Sequence, residues 1–535
     1  MTLHITEPYL WFPINKENPQ VKLHFYVDGV KIQEADMQLK SKAGQETDFF
    51  VSMDVSEYLG QEIEIKPEMQ KAQEEASKEQ EVEDVIEKEI GSMISCHDKP
   101  VQNDYSYRPK LHFTPEIGWH NDPNGLIYAD GLYHMYYQWN PYGVIWGNMH
   151  WGHAVSRDLL HFKHMPMVLA PNEHGTVYSG CGFEDKEGVA GFGKNALLFY
   201  YTASGGANKW SVDAGNLHTQ RLAVSTDGGR TLVRSDKFLL ENRKGENRDP
   251  KVFYHEESGA YIMALYLDGD EFAIFRSNDL LHFEESQRFH AKGMWECPDL
   301  FCLSVENSEE KKWVFWSADG YYMVGNFDGY RFTPESEVQM AYATRLPYAA
   351  QTYAGISDRV ISVAWLRLKN DRGNYRGVMA LPAELSLVKD KKGYHIKFCP
   401  VKELEELKEL NQKQEVYLAG SISFQGVPAE VKVSWDEKAQ GQTKLLLGST
   451  TILTDFERGV IEFTNPVSYD ETISVVFGRE NPLSLKFIID QEVIEFWGND
   501  GLIYGAVETE ENILSKSLLV ETTAEIQKME WCALK

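Results

Sequence analysis

At 535 residues, with 42% hydrophobic and 25% charged content, the chain has the composition of a soluble globular protein too long for one core, and about three domains are expected. A formal net charge of -28 argues against nucleic acid and anionic membrane surfaces as partners, because both demand clustered Lys and Arg. No apolar run has transmembrane length, and a neutral small molecule is the substrate class that fits best.

Residues 1–66 read as strands. Val21, Leu23, Phe25 and Val27 alternate with more polar positions, as do Phe49, Val51 and Met53, and Asp28-Gly29 is a turn signal. A small β-sandwich-like N-terminal module is predicted, which could build the interface of a homo-oligomer. Its first residues, MTLHITEPYL, carry no basic patch followed by an apolar core, so the expected location is cytoplasmic, or secreted if a signal has been removed. Residues 67–106 begin with Pro67 and continue in Glu, Lys, Gln and Ala, which predicts a charged helical linker.

Residues 107–398 are strands and turns with an imperfect repeat. Ser156-Arg157-Asp158-Leu159-Leu160-His161-Phe162 returns as Ser277-Asn278-Asp279-Leu280-Leu281-His282-Phe283, and more loosely as Ser225 to Thr231. Each copy follows a hairpin-like run such as Leu132 to Tyr137. Units of roughly 50–60 residues, each worth a few short strands, suggest the blades of a five-bladed β-propeller. Residues 400–412, PVKELEELKELNQ, read as a helix at a boundary, and 399–535 as a C-terminal β-sandwich with alternation at Val431 and Val433 and at Leu485, Phe487 and Ile489. The predicted fold class is all-β. The six cysteines are scattered, lack zinc-ligand spacing and are expected to be reduced thiols.

Three acids stand in unusual settings: Asp122 in Trp119-His120-Asn121-Asp122-Pro123-Asn124-Gly125, Asp249 in Arg248-Asp249-Pro250, and Glu296 in Trp295-Glu296-Cys297-Pro298-Asp299. Alone, each is explained by a turn, an ion pair or a strand end. Together, in order within one repeat domain, they suggest a carbohydrate site. A retaining glycosidase sets an ionised carboxylate and a protonated carboxyl about 5–5.5 Å apart. Asn121 and Asn124 could donate to Asp122 and lower its pKa. Glu296, beside Trp295 and Met294, has the apolar setting of an acid, and Arg248 should keep Asp249 charged.

These motifs, with Gln138-Trp139-Asn140-Pro141, Trp146-Gly147, Tyr178-Ser179-Gly180 and Tyr348-Ala349-Ala350-Gln351-Thr352, resemble glycoside hydrolase family 32, the invertase, inulinase and levanase group. The resemblance covers about 107–535 and implies a five-bladed propeller followed by a β-sandwich. It implies Asp122 as nucleophile, Glu296 as general acid/base and Asp249 as transition-state stabiliser, with Asn121, Gln138, Trp146, Ser179 and Arg248 contacting the fructosyl unit. It implies no metal and no organic cofactor. The expected activity is a β-fructofuranosidase on sucrose or short fructo-oligosaccharides. Alternatives are an exo-fructanase for inulin or levan, a transfructosylase, and a non-catalytic fructan-binding protein. Leu346-Pro347, Ala383-Glu384 and His120 depart from the family pattern, the first two by removing a charge expected in loops near the pocket. Lys209 and Arg243-Lys244 are isolated, so no phosphate-binding cluster is expected.

Overall fold

The computed structural model describes residues 1–40, 44–69, 91–103, 106–369, 371–409, 414–415, 421–464, 472–477, 483–509 and 512–535. Among these the regular elements are strands, apart from one short α-helix at Lys209–Asp213 and a few 3-10 turns.

Five antiparallel sheets follow one another from Gly118 to Pro400 and form a five-bladed β-propeller. Blade I is Gly118–Ala129, Leu132–Asn140, His150–Ser156 and Lys163–Leu169. Blade II is Thr176–Asp185, Ala196–Ser204, Thr219–Ser225 and Val233–Leu240. Blade III is Arg248–His255, Ala260–Asp268, Glu271–Ser277 and Glu284–His290. Blade IV is Asp299–Ser304, Lys311–Trp316, Tyr321–Phe327 and Phe332–Pro334. Blade V is Pro347–Thr352, Val360–Leu366, Ala383–Asp390 and Gly393–Pro400. First strands of blades I and II, II and III, IV and V, and V and I touch one another, so the first strand of each blade lines the axis. The ring closes where Tyr375–Arg376 runs parallel to Gly118–Trp119.

The repeat seen in the sequence is a turn between third and fourth strands. Asp158 accepts the N–H groups of Leu160 and His161 at 3.0 and 2.8 Å, and Asp279 does the same for Leu281 and His282. Asp227 accepts from Arg230 and Thr231, and Asp328 closes blade IV on Tyr330 and Arg331. A short carboxylate satisfies the backbone donors that a tight turn leaves open. The motif therefore marks architecture, not chemistry.

Two six-stranded sheets form the C-terminal β-sandwich. Val431, Val433, Leu485, Phe487, Ile489 and Phe496 fill the space between them. From the same strands, Ile488, Val493 and Trp497 face the other way, into the propeller's core. Buried charge pins this contact: His112 bridges Asp490 at 3.0 Å and Glu495 at 2.8 Å. Burial opposes its ionisation, but the two carboxylates push its pKa up to about 9.

The N-terminal residues form a four-stranded sheet, ordered Thr2–His4, Glu62–Met69, Val21–Val27, Val30–Met37, and a three-stranded sheet of Phe49–Asp54, Tyr9–Ile14 and Ser95–His97. Three details differ from what the sequence predicts. Pro67 lies in a strand, opposite Leu23, beyond the reach of the short neighbouring strand Thr2–His4, where a missing N–H costs nothing. The predicted linker also returns to the module, since Cys96 pairs with Leu10 and Ile94 is buried in its core. The helix expected over Glu, Lys and Gln falls on residues 70–90, outside the described residues. The helix expected at 400–412 is only a 3-10 turn, Lys402–Leu407; Lys408 then bridges to Leu534 and its ammonium pairs with Glu430, which draws the chain into the sandwich. Residues 410–413 lie outside the described residues. All six cysteines are free thiols.

Candidate active site

Four of the five axial strands carry the same irregularity. His120 pairs with Trp139 and Pro123 with Tyr137, so three steps on the inner strand oppose two on its neighbour. The same skip falls between Val177 and Gly180, Arg248 and Lys251, and Tyr348 and Gln351. A β-bulge breaks the in-out alternation and re-aims side chains. The skipped residues are Asn121–Asp122, Tyr178–Ser179, Asp249–Pro250 and Ala349–Ala350. Asp249 and Ala349 sit at φ 63° and 50°, and in blade IV Glu296 and Cys297, just before the first strand, sit at 34° and 44°. Left-handed backbone at non-glycine residues is costly and persists only where the surroundings enforce it. Gly180 allows the close approach this requires: a Cβ there would lie 2.0 Å from the Tyr200 carbonyl oxygen.

The bulges open onto a cleft of about 600 Å³ at one end of the axis, lined by Asn121, Asp122, Gln138, Trp146, Tyr178, His218, Glu246, Arg248, Asp249, Glu296, Tyr348 and Trp365. Asp122 is buried at its base, whereas Trp146 in its wall is 52% exposed, and Trp295, which donates to the cleft residue Tyr348, is 44% exposed. Asn121 Nδ2 donates to Asp122 Oδ1 at 3.0 Å, with its own amide oriented by the Trp119 indole N–H. Gln138 Nε2 donates to Asp122 Oδ2 at 3.2 Å, and the Ser179 hydroxyl donates to the same oxygen. The Cys297 thiol ties two acids together, lying 3.6 Å from Asp122 Oδ2 and 3.5 Å from Asp249 Oδ2; the Cys297 N–H also donates to Asp249 at 3.0 Å. Arg248 joins the third: its Nε is 3.2 Å from Glu296 Oε2 and 3.6 Å from Asp249 Oδ2. The Tyr348 hydroxyl donates to Glu296 Oε1 while accepting from the Trp295 indole. All eight residues singled out from the sequence thus line one cleft or point into it.

Three electrostatic expectations change. Asn124 does not reach Asp122; its oxygen accepts the Gly180 N–H at 3.3 Å. Burial raises the Asp122 pKa, helped by the charge of Glu296 and opposed by the donors Ser179 and Asn121. Asp249 was expected to stay charged beside Arg248. Burial outweighs the opposing charge of Arg248, 3.6 Å away, and with the charges of Glu296 and Asp122 pushes Asp249 up to about 7. Glu296 itself sits among polar groups, Arg248 and Tyr348, not in the apolar setting inferred from Trp295 and Met294.

Asp249 has a folded pKa raised above its unfolded one, so the folded state holds an extra proton between about pH 4 and 7. That contribution to stability is present at low pH and is lost as pH rises through about 7. Asp249→Asn, which cannot ionise, is expected to be more stable than the parent by about 1–3 kcal/mol at pH 8 and by less at pH 5. Thermal unfolding at the two pH values checks this; a gap that shrinks toward pH 8 refutes it.

Of the departures from the family pattern, Leu346 and Pro347 stand next in the chain to Tyr348 of the cleft, and none of the departing residues lines the cleft itself. Ala383 and Glu384 are in blade V's third strand, not in a pocket loop, and Glu384 pairs with Arg359. Leu346 is buried, its carbonyl accepting the Arg367 N–H at 2.9 Å. His120 is buried beside Phe113, and burial pushes its pKa down to about 3. Cys297, Tyr348, His218 and Glu246 were given no role from the sequence. The first two lie inside quoted motifs, but their contacts are with residues far away in the chain; no local signal marks the others. Among the described residues no cluster of His, Cys, Asp and Glu has the arrangement of a metal site.

A family model described as "Glycosyl hydrolases family 32 N-terminal domain" matches residues 112–400. A levanase of Bacillus subtilis (strain 168) is 34% identical over 454 residues, covering 74% of this chain and 65% of the levanase, so the chain spans less than two thirds of that relative. An extracellular exo-inulinase of Aspergillus awamori is 26% identical over 478 residues, 74% of this chain and 88% of that one. In fold, the crystal structure of exo-inulinase from Aspergillus awamori superposes with a TM-score of 0.71 at 23% identity, covering 80% of this chain and 98% of that one. The β-fructofuranosidase from Schwanniomyces occidentalis complexed with fructosyl-erythritol gives 0.70 at 23% identity, covering 81% and 99%.

Proposed function

The chain belongs to glycosyl hydrolase family 32, and from that premise we propose that it is a retaining β-fructofuranosidase that removes terminal β-D-fructosyl units from sucrose or short fructo-oligosaccharides. Asp122 attacks the anomeric carbon of the fructosyl unit. As that bond forms, the glycosidic C–O bond breaks and Glu296 passes its proton to the departing oxygen. Glu296, now ionised, takes a proton from water, whose oxygen attacks the same carbon and releases Asp122. Asp249 accepts hydrogen bonds from sugar hydroxyls and faces the cationic transition state.

One observation carries this reading: three carboxyl groups from three different blades meet in one cleft, linked by a single thiol and a single guanidinium. With Arg248 alone, among the described residues, to balance them so closely, the cluster holds a proton near neutrality, as Asp249 at about 7 indicates. Retaining chemistry needs one attacking carboxylate and one proton to give away. Asn121, Gln138 and Ser179 hold the Asp122 oxygens on the cleft side. The buried base and aromatic rim suit a chain end better than the middle of a polymer.

A product profile on sucrose, kestose, inulobiose, inulin and levan tests the reading. Fructose as the sole early product is expected, and release of larger oligomers would contradict it. The similarity to a levanase and an exo-inulinase favours, as a second reading, exo-action on levan or inulin. Relative kcat/KM on polymer and sucrose separates the two. Products longer than the substrate at high sucrose would instead indicate transfer.

A further inference from the structure

The edge of the N-terminal four-stranded sheet, Val30–Met37, lies against the propeller beside the cleft. An edge strand exposes unpaired backbone groups that need a partner. Asn148 provides it: the Asp36 N–H donates to Asn148 Oδ1 at 2.8 Å, and Asn148 Nδ2 donates to the Asp36 carbonyl at 2.8 Å. Asn148 stands two residues from Trp146, on the connection between blade I's second and third strands. That connection is also gripped lower down, since Tyr142 is buried in the core of the N-terminal module and Gln33 reaches His150 at 3.3 Å.

A second connection is held by the same edge strand. Glu34 Oε1 accepts the Lys209 N–H at 2.8 Å, at the start of the short helix that follows Gly206 and Ala207 on the cleft wall. Lys31 places its ammonium 5.5 Å from the centre of the Trp210 ring. Glu34 is buried with Lys22, His24 and Lys31 within 3.3 Å of its carboxylate. A buried carboxylate with three basic partners on one module and a backbone N–H on another is a fixed point, not a sliding contact.

We propose that the N-terminal module is a positioning element of the substrate cleft, in which Asn148 and Glu34 hold the Trp146 connection and the 205–217 connection as a rigid wall on the side of blades I and II. The inference rests on the fructosidase reading and deepens it. Trp146 is a half-exposed indole on a connection with no strand of its own, so its place depends on what holds that connection. The wall sets how tightly a fructoside binds, while the three acids, carried on the axial strands, set the rate of the bound substrate.

The experiment measures steady-state hydrolysis of sucrose and 1-kestose by full-length Asn148→Ala, Glu34→Ala and Glu34→Gln, with thermal unfolding alongside. Asn148→Ala and Glu34→Ala are expected to raise KM about fivefold or more with kcat within about twofold of the parent. Glu34→Gln, which keeps the acceptor for the Lys209 N–H, should restore most of the lost affinity. A folded Asn148→Ala with unchanged KM, or with kcat lost in place of affinity, overturns the proposal. If Glu34→Ala does not fold, Lys31→Ala, which removes only the ammonium near Trp210, takes its place: a raised KM supports the proposal and an unchanged one overturns it. A parent protein that releases no fructose from either sugar would defeat the functional reading instead, a result distinguishable from all of these.

Discussion

Asp122→Asn is expected to lower kcat on sucrose by on the order of 10⁴-fold or more, with the fold and melting behaviour preserved. Asp122 lies buried at the base of the cleft, where the proposed mechanism has its carboxylate form a covalent bond to the anomeric carbon, and an amide oxygen is too weak a nucleophile to replace it. The substitution is sterically neutral. Asn121, Gln138 and Ser179 each donate to Asp122, and an Asn at 122 can still accept on its one carbonyl oxygen. Its NH₂ group would face donors where Asp122 had an acceptor, which should loosen the site locally. Removing a buried carboxylate whose pKa is raised by burial should offset that cost. Circular dichroism and thermal unfolding separate loss of chemistry from loss of structure. A folded Asp122→Asn enzyme retaining more than about a tenth of the parental rate would remove the nucleophile from the mechanism.

Glu296→Gln should cost about 10²–10⁴-fold in kcat, the range of general acid–base catalysis, and the loss should depend on the leaving group. Sucrose releases a sugar alkoxide that must be protonated as it departs. A fructoside with a phenolic leaving group of low pKa needs little protonation, so its first step should be nearly restored while hydrolysis of the fructosyl-enzyme stays slow. A burst of phenol followed by a slow steady state is the expected trace. Azide, which attacks without a general base, should speed the second step and give a fructosyl azide with retained configuration. Equal losses on both substrates, with no azide effect, would assign Glu296 to binding. Arg248 and Tyr348 both contact the Glu296 carboxyl, so Glu296→Gln also tests whether these partners, arranged around a charge, tolerate an amide.

The three acids of the cleft could be picked out in the string because each travels with its own local constraint. Pro123 and Gly125 shape the strand that carries Asp122, and Pro250 follows Asp249 at a left-handed backbone position. Such constraints survive in short motifs. Cys297 and Tyr348 lay inside motifs already picked out, yet their roles were hidden, because a thiol between two carboxyls and a phenol on a third are facts of convergence. His218 and Glu246 carry no motif and reach the cleft only through the packing of blades II and III. The Glu- and Lys-rich stretch at 400–412 misled for a related reason. Its local preference is helical, but burial of Leu404 and the pairing of Lys408 with Glu430 outweigh a preference worth only tenths of a kcal/mol per residue.

By itself the sequence determined the all-β class, the blade repeat through its Asp turns, and which three acids were candidates for one cleft, because period-two alternation, turn chemistry and short motifs are local properties of the chain. Tertiary structure alone decided which groups surround each acid, where Arg248 sits among the three, and that the strand Val30–Met37 contacts the connections beside the cleft. Those outcomes depend on burial and on distances of a few ångströms between groups tens to hundreds of residues apart, and electrostatic energy is set by those distances and by the water excluded between them.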